Sequence, residues 1–178
     1  DWGAFATYSI GLGVSDRLAM TGELRERRYP TGPLRVRTRD IAELTAMWTH
    51  SLANGKTSLA LGGSFAEEWA TQERVDGDAS IWSVRSSLDH AFSDSLDAFF
   101  FLEYWEEGYD EERPDFSTDP NLLVQRSDDL VYAGGGLIWS FAPGWTLRPA
   151  FEYDWENSNI PALAYSKTEV WVTVRKSF

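Results

Sequence analysis

The stretch TLRPAFEYDWE, residues 146–156, alternates between two kinds of side chain at all eleven positions. One parity carries apolar and aromatic residues, namely Leu147, Pro149, Phe151, Tyr153 and Trp155. The other parity is mainly polar and charged, and consists of Thr146, Arg148, Ala150, Glu152, Asp154 and Glu156. A period of two places the two sets on opposite faces of a β-strand. The fold depends on whether other segments repeat the pattern and on which face is enclosed.

Eight further segments alternate with the same period. They are WGAFATYSIGLGV, RLAMTGELRER, AELTAMWTHSL, SLALGGSFAEEW, IWSVRSSLDHAF, LDAFFFLEYWE, VYAGGGLIWSF and TEVWVTVRKSF. Together with the first stretch they predict nine strands of about ten residues or more. Strands of soluble proteins average about five to six residues, whereas a tilted strand that spans a bilayer needs about nine to eleven. The lengths therefore favour a membrane barrel.

The connections between the predicted strands alternate between short and long. The short ones are SD at 15–16, ANGK at 53–56, SDS at 93–95 and APG at 142–144. The long, polar ones are residues 28–39, 70–79, 107–128 and 157–166. Short periplasmic turns and longer external loops are typical of outer-membrane barrels.

The aromatic residues indicate which face meets the lipid. Trp and Tyr side chains lie near strand ends, as the aromatic belts at membrane interfaces require. The opposite face mixes both signs of charge, as a hydrated or salt-bridged lumen does. We expect a ladder of inward charges formed by Glu23, Arg25, Glu43, Arg85, Asp89, Asp97, Glu103, Arg148, Glu152, Asp154, Glu169 and Arg175. The alternative is a soluble, lipocalin-like barrel whose rings point inward.

The predicted fold is an all-β, antiparallel up-and-down transmembrane β-barrel, in one domain over residues 1–178. Single-chain bacterial barrels have an even number of strands and periplasmic termini. With nine strands visible, we expect one or more strands to precede Asp1, so that this chain is the C-terminal part of a larger barrel; the alternative is one uncounted strand. Pro149 removes a ladder donor in mid-strand, and we expect a local bulge there.

Composition excludes several classes of protein. The chain has no cysteine, which excludes disulfides and thiolate metal sites, and its net charge of -12 argues against a nucleic-acid surface. No apolar run is long enough for a transmembrane helix. The two histidines, His50 and His90, fall on the lipid-facing parity near tight turns. We therefore expect no catalytic site, no cofactor and no enzymatic activity.

Two charged segments are candidate binding sites. Arg28, Arg35, Arg37 and Arg39 belong to a cluster of six arginines, and guanidinium groups favour phosphates such as those of lipopolysaccharide. Balance of surface and lumen charge is the alternative. The acidic stretch at 106–119 offers Asp110, Glu111, Glu112 and Asp115 as oxygen ligands for Ca²⁺. Its spacing matches no calcium-loop motif, and a solvated acidic loop is the alternative.

The last third of the chain resembles a known family. The features are RSDD before the antepenultimate strand, WTLRP opening the next, NSN in the last loop, YSK at the start of the last strand, and a terminal Phe. They resemble the C-terminal barrel of the surface lipoprotein assembly modifier family and related barrels with N-terminal tetratricopeptide repeats. Phe178, with Val170, Val172 and Val174 at the same parity, resembles the signal read by the barrel assembly machinery, although Lys176 departs from it.

The resemblance implies an integral protein of the outer membrane of a diderm, Gram-negative bacterium, surrounded by outer-membrane lipid and lipopolysaccharide. It implies export or surface display of a passenger polypeptide. The alternative is a non-enzymatic, porin-like or accessory barrel that forms a small pore or anchors partner subunits of a larger complex.

Overall fold

The structure, a computed structural model, describes residues 2–28, 38–52, 55–71, 76–115 and 118–177. Nine β-strands account for most of these residues. They are β1 (Trp2–Gly11), β2 (Asp16–Arg27), β3 (Arg39–Ser51), β4 (Thr57–Ala70), β5 (Ala79–Ser93), β6 (Leu96–Asp115), β7 (Asp119–Ala142), β8 (Trp145–Ser158) and β9 (Tyr165–Lys176). The predicted number of strands is confirmed.

The strands form one sheet in chain order, from β1 to β9, and every neighbouring pair is antiparallel. This confirms the predicted up-and-down architecture. Within the described residues β1 and β9 pair only with β2 and β8, so the sheet is open between its two edges. No helix in this part of the chain is long and apolar enough to cross a membrane.

Tight turns lie at one end of the sheet and the longer connections at the other. The turn between β7 and β8 contains Gly144 at φ +73°, a backbone conformation that glycine adopts at little cost. The opposite end carries the connections after β2, β4, β6 and β8. We refer to the two ends as the turn end and the loop end.

The third long connection differs from its prediction. Residues 107–128 are not a loop, because β6 continues to Asp115 and β7 begins at Asp119. Their register shifts between Gly108 and Glu112, which a bulge or a similar irregularity produces. The high charge of this segment suggested a solvated loop, yet backbone pairing satisfies its amides regardless of side-chain polarity. The hairpin therefore extends the wall of the sheet at the loop end.

Pro149 lies within β8, paired with Val172 of β9 without a register shift. Toward β7 the ladder has partners at Gly136–Ala150 and next at Trp139–Leu147, and a shift follows between Trp139 and Ala142. The prediction of a bulge at Pro149 is therefore wrong, because the ladder keeps its register past this residue and shifts only nearer the turn.

The two faces of the sheet differ as the alternation predicts. Side chains of the ring-bearing face are exposed, including Trp2, Phe65, Trp82 and Val170. The residues that are buried within the strands lie mostly on the opposite face, and include Ala66, Glu68, Ser83, Asp128 and Ala150. We refer to this second face as the inner face. A short 3₁₀ turn, Pro161–Leu163, connects β8 to β9.

Candidate functional site

The candidate site is the inner face of the sheet together with its loop end. Arg85 of β5 lies directly opposite Glu103 of β6, and the Arg85 Nε and Glu103 Oε1 atoms are 3.7 Å apart. Both side chains are about one-third exposed, at 36% and 28%. This pair spans two strands, as the predicted ladder requires.

The other ladder residues share the inner face but are not all paired across strands. Arg25 is 3.7 Å from Glu23 of its own strand, measured from Nε to Oε1. Glu152 lies opposite another carboxylate, that of Glu169. Glu169 forms an ion pair with Lys167 of its own strand, at 2.8 Å. Like charges in register repel each other unless water or a cation separates them.

Three of the remaining ladder residues have apolar or hydroxyl-bearing neighbours in the register. The guanidinium of Arg148 lies 4.7 Å from the centre of the Phe99 ring, a cation–π contact. Asp97 lies opposite Ile138, and Arg175 lies opposite Thr146. Asp154 is in register with Lys167. The central part of the inner face is therefore a charged wall in which the ion pairs of Arg25 and Arg85 are loose.

Among the described residues, the densest ion-pair network surrounds Arg126, at the loop end. Its Nη atoms lie 2.9 Å from Asp76, 2.5 Å from Asp128 and 3.5 Å from Glu156. The Arg126 guanidinium also lies 4.6 Å from the centre of the Tyr109 ring. Arg126 thereby connects the lead-in to β5 with β6, β7 and β8. We refer to these five residues as the Arg126 cluster.

Asp76, in the turn that leads into β5, is the acidic residue of the cluster that lies outside the strands. Burial alone would raise its pKa, but the hydrogen bond from Arg126 and the positive charges of Arg113 and Arg126 outweigh burial. The pKa of Asp76 is therefore below its ordinary value.

Sequence reasoning missed the Arg126 cluster. Arg126 and Asp128 have the same parity in the RSDD motif, which places them on one face of β7. That spacing is the feature of the sequence from which the pairing of Arg126 with Asp128 could have been predicted. Asp76 and Glu156 lie 50 and 30 residues away, and only the sheet brings them together.

Aromatic side chains on the outward face bond to carboxylates near the loop end. Trp82 Nε1 donates to Glu106 at 3.1 Å, and the Tyr104 hydroxyl donates to Asp129 at 2.7 Å. The two rings meet edge to face, with centroids 5.3 Å apart. Rings with one wet polar tip are suited to a membrane interface.

The turn end of the outward face carries both histidines. Asp16 Oδ1 accepts from Trp48 Nε1 and lies 2.9 Å from His50 Nδ1. His90 Nδ1 is 2.7 Å from the Thr57 hydroxyl. Both histidines thus lie at a rim, each beside a local partner.

The predicted phosphate site is partly described. Arg28 forms ion pairs with Glu26 and with Asp40, the latter at 3.3 Å. Arg39 Nη1 lies 2.8 Å from Glu68, which is 3% exposed. Arg35 and Arg37 lie outside the described residues. Lipopolysaccharide binding here stays a prediction.

The predicted calcium ligands have different environments. Asp110 Oδ1 accepts from the backbone N–H of Asp78 at 2.7 Å, Asp115 is buried, and Glu111 and Glu112 are exposed. Among the described residues, no three acidic or histidine side chains are arranged to hold a metal ion. Calcium binding stays a prediction without geometric support.

The predicted assembly signal lies on β9. Val170, Val172 and Val174 are all more than half exposed and point to the outward face. Phe178 lies outside the described residues. Recognition by the barrel assembly machinery stays a prediction.

Comparison with solved structures identifies the fold. No protein-family model matches the chain, and no curated protein sequence does. The crystal structure of the outer membrane channel DcaP of Acinetobacter baumannii matches with a TM-score of 0.64 and 19% identity. The match covers 96% of this chain and 50% of the DcaP chain. This chain has the fold of an outer-membrane β-barrel. It spans half the length of the channel that it resembles.

The outer membrane protein Ail of Yersinia pestis, determined in a phospholipid nanodisc, also matches. The match covers 92% of this chain and 99% of Ail, at 16% identity and a TM-score of 0.34. That score is too low to support an argument about this chain.

Proposed function

We propose that this chain forms part of the wall of a water-filled channel in the outer membrane of a Gram-negative bacterium. The observation that carries the proposal is the partly exposed, loosely paired charge in the central part of the inner face, with Arg85 and Glu103 as its clearest example. The ring-bearing outward face then meets lipid, as in barrels whose lumen is polar.

The loose pairing favours water in the lumen because a buried charge is costly. A dry lumen would have to pair each charge closely, because burying an isolated ion costs about several kcal/mol of solvation even after the protein relaxes around it. Here the separation in two inner-face pairs is 3.7 Å, and Glu152 lies opposite Glu169. Such an arrangement is stable when water screens the charges, which supports an open lumen. The outer membrane channel DcaP, whose fold this chain shares, also supports the proposal of a channel.

Planar-bilayer recording tests the proposal directly. We expect the purified barrel that contains this chain to give stepwise conductance. We expect Arg85→Glu to raise the ratio of cation to anion permeability, because it adds negative charge to the wall. Val84→Thr, on the outward face of the same strand, is the matched control and leaves the ratio unchanged. Bilayers that stay sealed at high protein density would contradict the proposal.

The second candidate is export or surface display of a polypeptide. It is supported by the resemblance of the last third of the chain to the surface lipoprotein assembly modifier family. Surface proteolysis of intact cells distinguishes it, since deletion of an exporter removes a passenger from the surface while a diffusion channel leaves surface proteins in place.

A further inference from the structure

A cavity on the inner face, between β2 and β6, has donors that lack acceptors. Its volume is about 260 Å³, and its lining includes Arg25, Arg39, Arg85, Ser64, Ser83 and Trp105. The arginines come from three strands, β2, β3 and β5. This cavity is smaller than typical drug-sized sites of about 300–1,000 Å³, so a compact ligand fits it.

Three guanidinium groups in the cavity have an unused donor. Within the described chain, the Nε atoms of Arg25, Arg39 and Arg85 are buried and make no hydrogen bond. Glu23 and Glu103 approach Arg25 and Arg85 only to 3.7 Å, which is beyond hydrogen-bond distance. A buried donor without an acceptor is costly, so a ligand that supplies acceptor oxygens is stabilised there.

The acidic residues of the cavity restrict which anion can bind. Glu43, Glu68, Glu103 and Glu107 also line it. Three of them already accept from neighbours. Glu68 is paired with Arg39, Glu107 accepts from the Tyr109 hydroxyl at 2.8 Å, and Glu43 accepts from the Thr45 hydroxyl at 3.1 Å. A ligand must still carry enough charge to compete with the remaining carboxylate, Glu103.

We propose that this cavity binds a phosphate group, either as free phosphate or at the end of a small organic phosphate. A tetrahedral phosphate presents oxygens in several directions, which suits donors on three different strands, whereas a carboxylate presents two oxygens in one plane. Guanidinium forks match phosphate oxygens well. The proposal rests on the channel function, because it takes the inner face to be the lumen.

Calorimetric titration of the detergent-purified barrel with sodium phosphate tests the site without a conductance measurement. We expect saturable binding whose affinity falls at least tenfold in the double variant Arg25→Gln, Arg85→Gln. Arg148→Gln is the matched control, an inner-face arginine outside the cavity that stacks on Phe99, and it leaves the affinity unchanged. Heat-modifiable gel migration checks that each variant is folded, and Arg85→Lys, which keeps the charge but lacks the fork, lowers the affinity several-fold.

Competition separates the ligand sources. Glycerol 3-phosphate that binds more tightly than free phosphate assigns the site to organic phosphates, and equal affinity assigns it to the phosphate group alone. Acetate that competes as well as phosphate would overturn the choice of ligand, and an equal loss in Arg148→Gln would overturn the location. A barrel that conducts but binds no phosphate refutes this site only, and one that binds phosphate but never conducts refutes the channel only.

Discussion

At the scale of single residues, glycine and phenylalanine fit together on the inner face. A Cβ atom at Gly134 would lie 2.5 Å from the Phe101 ring and 2.8 Å from the carbonyl oxygen of Phe151. The Phe101 ring therefore occupies the space that a side chain at position 134 would need. The glycine run at 134–136 thus admits a ring from the neighbouring strand of the same chain.

Gly134→Ala is expected to lower the free energy of unfolding by about 1–3 kcal/mol, because overpacking forces the ring and backbone to move. Urea titration in detergent measures the change. Gly22→Ala is the control, since nothing lies within 4 Å of the added Cβ. Its stability should stay constant or rise by up to about 1 kcal/mol. Equal losses in the two variants would refute the packing explanation.

The ion pairs of Asp76 should make the stability of the protein depend on pH. Its pKa is lowered from 3.8, so its ion pairs contribute fully above pH 3.8 and are lost as pH falls through the folded-state value. Urea midpoints measured against pH should show wild type above Asp76→Asn near neutrality, with the gap closing below pH 3.8. Asp94→Asn, in the exposed turn between β5 and β6, should track wild type. A difference in urea midpoint between wild type and Asp76→Asn that persists in acid would exclude the ionisation of Asp76 as its cause.

At the scale of elements, the β6–β7 hairpin depends on the Arg126 cluster. Asp128 is 1% exposed, and Arg126 supplies its ion pair at 2.5 Å. The same guanidinium reaches Glu156 on β8 and Asp76 before β5. One side chain therefore links four consecutive parts of the wall.

Arg126→Gln should lower the free energy of unfolding by about 3 kcal/mol, since it leaves the buried carboxylate of Asp128 without its cation. Amide hydrogen exchange should accelerate most at the loop end of β6, β7 and β8. Arg175→Gln, an exposed inner-face arginine of β9, is the control and should change stability by less than about 0.5 kcal/mol. Uniform exchange along the strands would indicate that the cluster has no local role.

Strand boundaries could be predicted from the sequence where apolar and polar residues alternate strictly, and not where the alternation is weak. Residues 146–156 predicted β8 almost to its ends, because covalent geometry sets the period of two within a single strand. The segment 107–128 was misassigned, because charge resembles loop composition while backbone pairing with a neighbour decides whether a strand continues.

At the scale of the whole molecule, the sheet that the described residues form has two edges, β1 and β9. An open edge in hydrocarbon leaves backbone groups unsatisfied, so a membrane barrel pairs every edge. Because β1 and β9 do not pair with each other in the structure, we expect each of them to pair with another strand in the assembled barrel.

Disulfide cross-linking tests this, because the chain has no cysteine of its own. The pair Thr7→Cys, Thr21→Cys should link readily, since the two hydroxyls lie 2.9 Å apart in the β1–β2 ladder. The pair Thr7→Cys, Thr173→Cys should not link. Efficient linkage of the second pair would mean that nine strands close on themselves.

The sequence by itself determined the number of strands, the two faces and the end of the sheet that carries longer connections, because each depends on a local pattern. Only the tertiary structure decided which inner charges meet. The partners of Arg126 depend on strand register and on the shift at Gly108–Glu112, and the lining of the arginine cavity depends on the register of β2 to β6. Register is a property of paired strands, and no single strand encodes it.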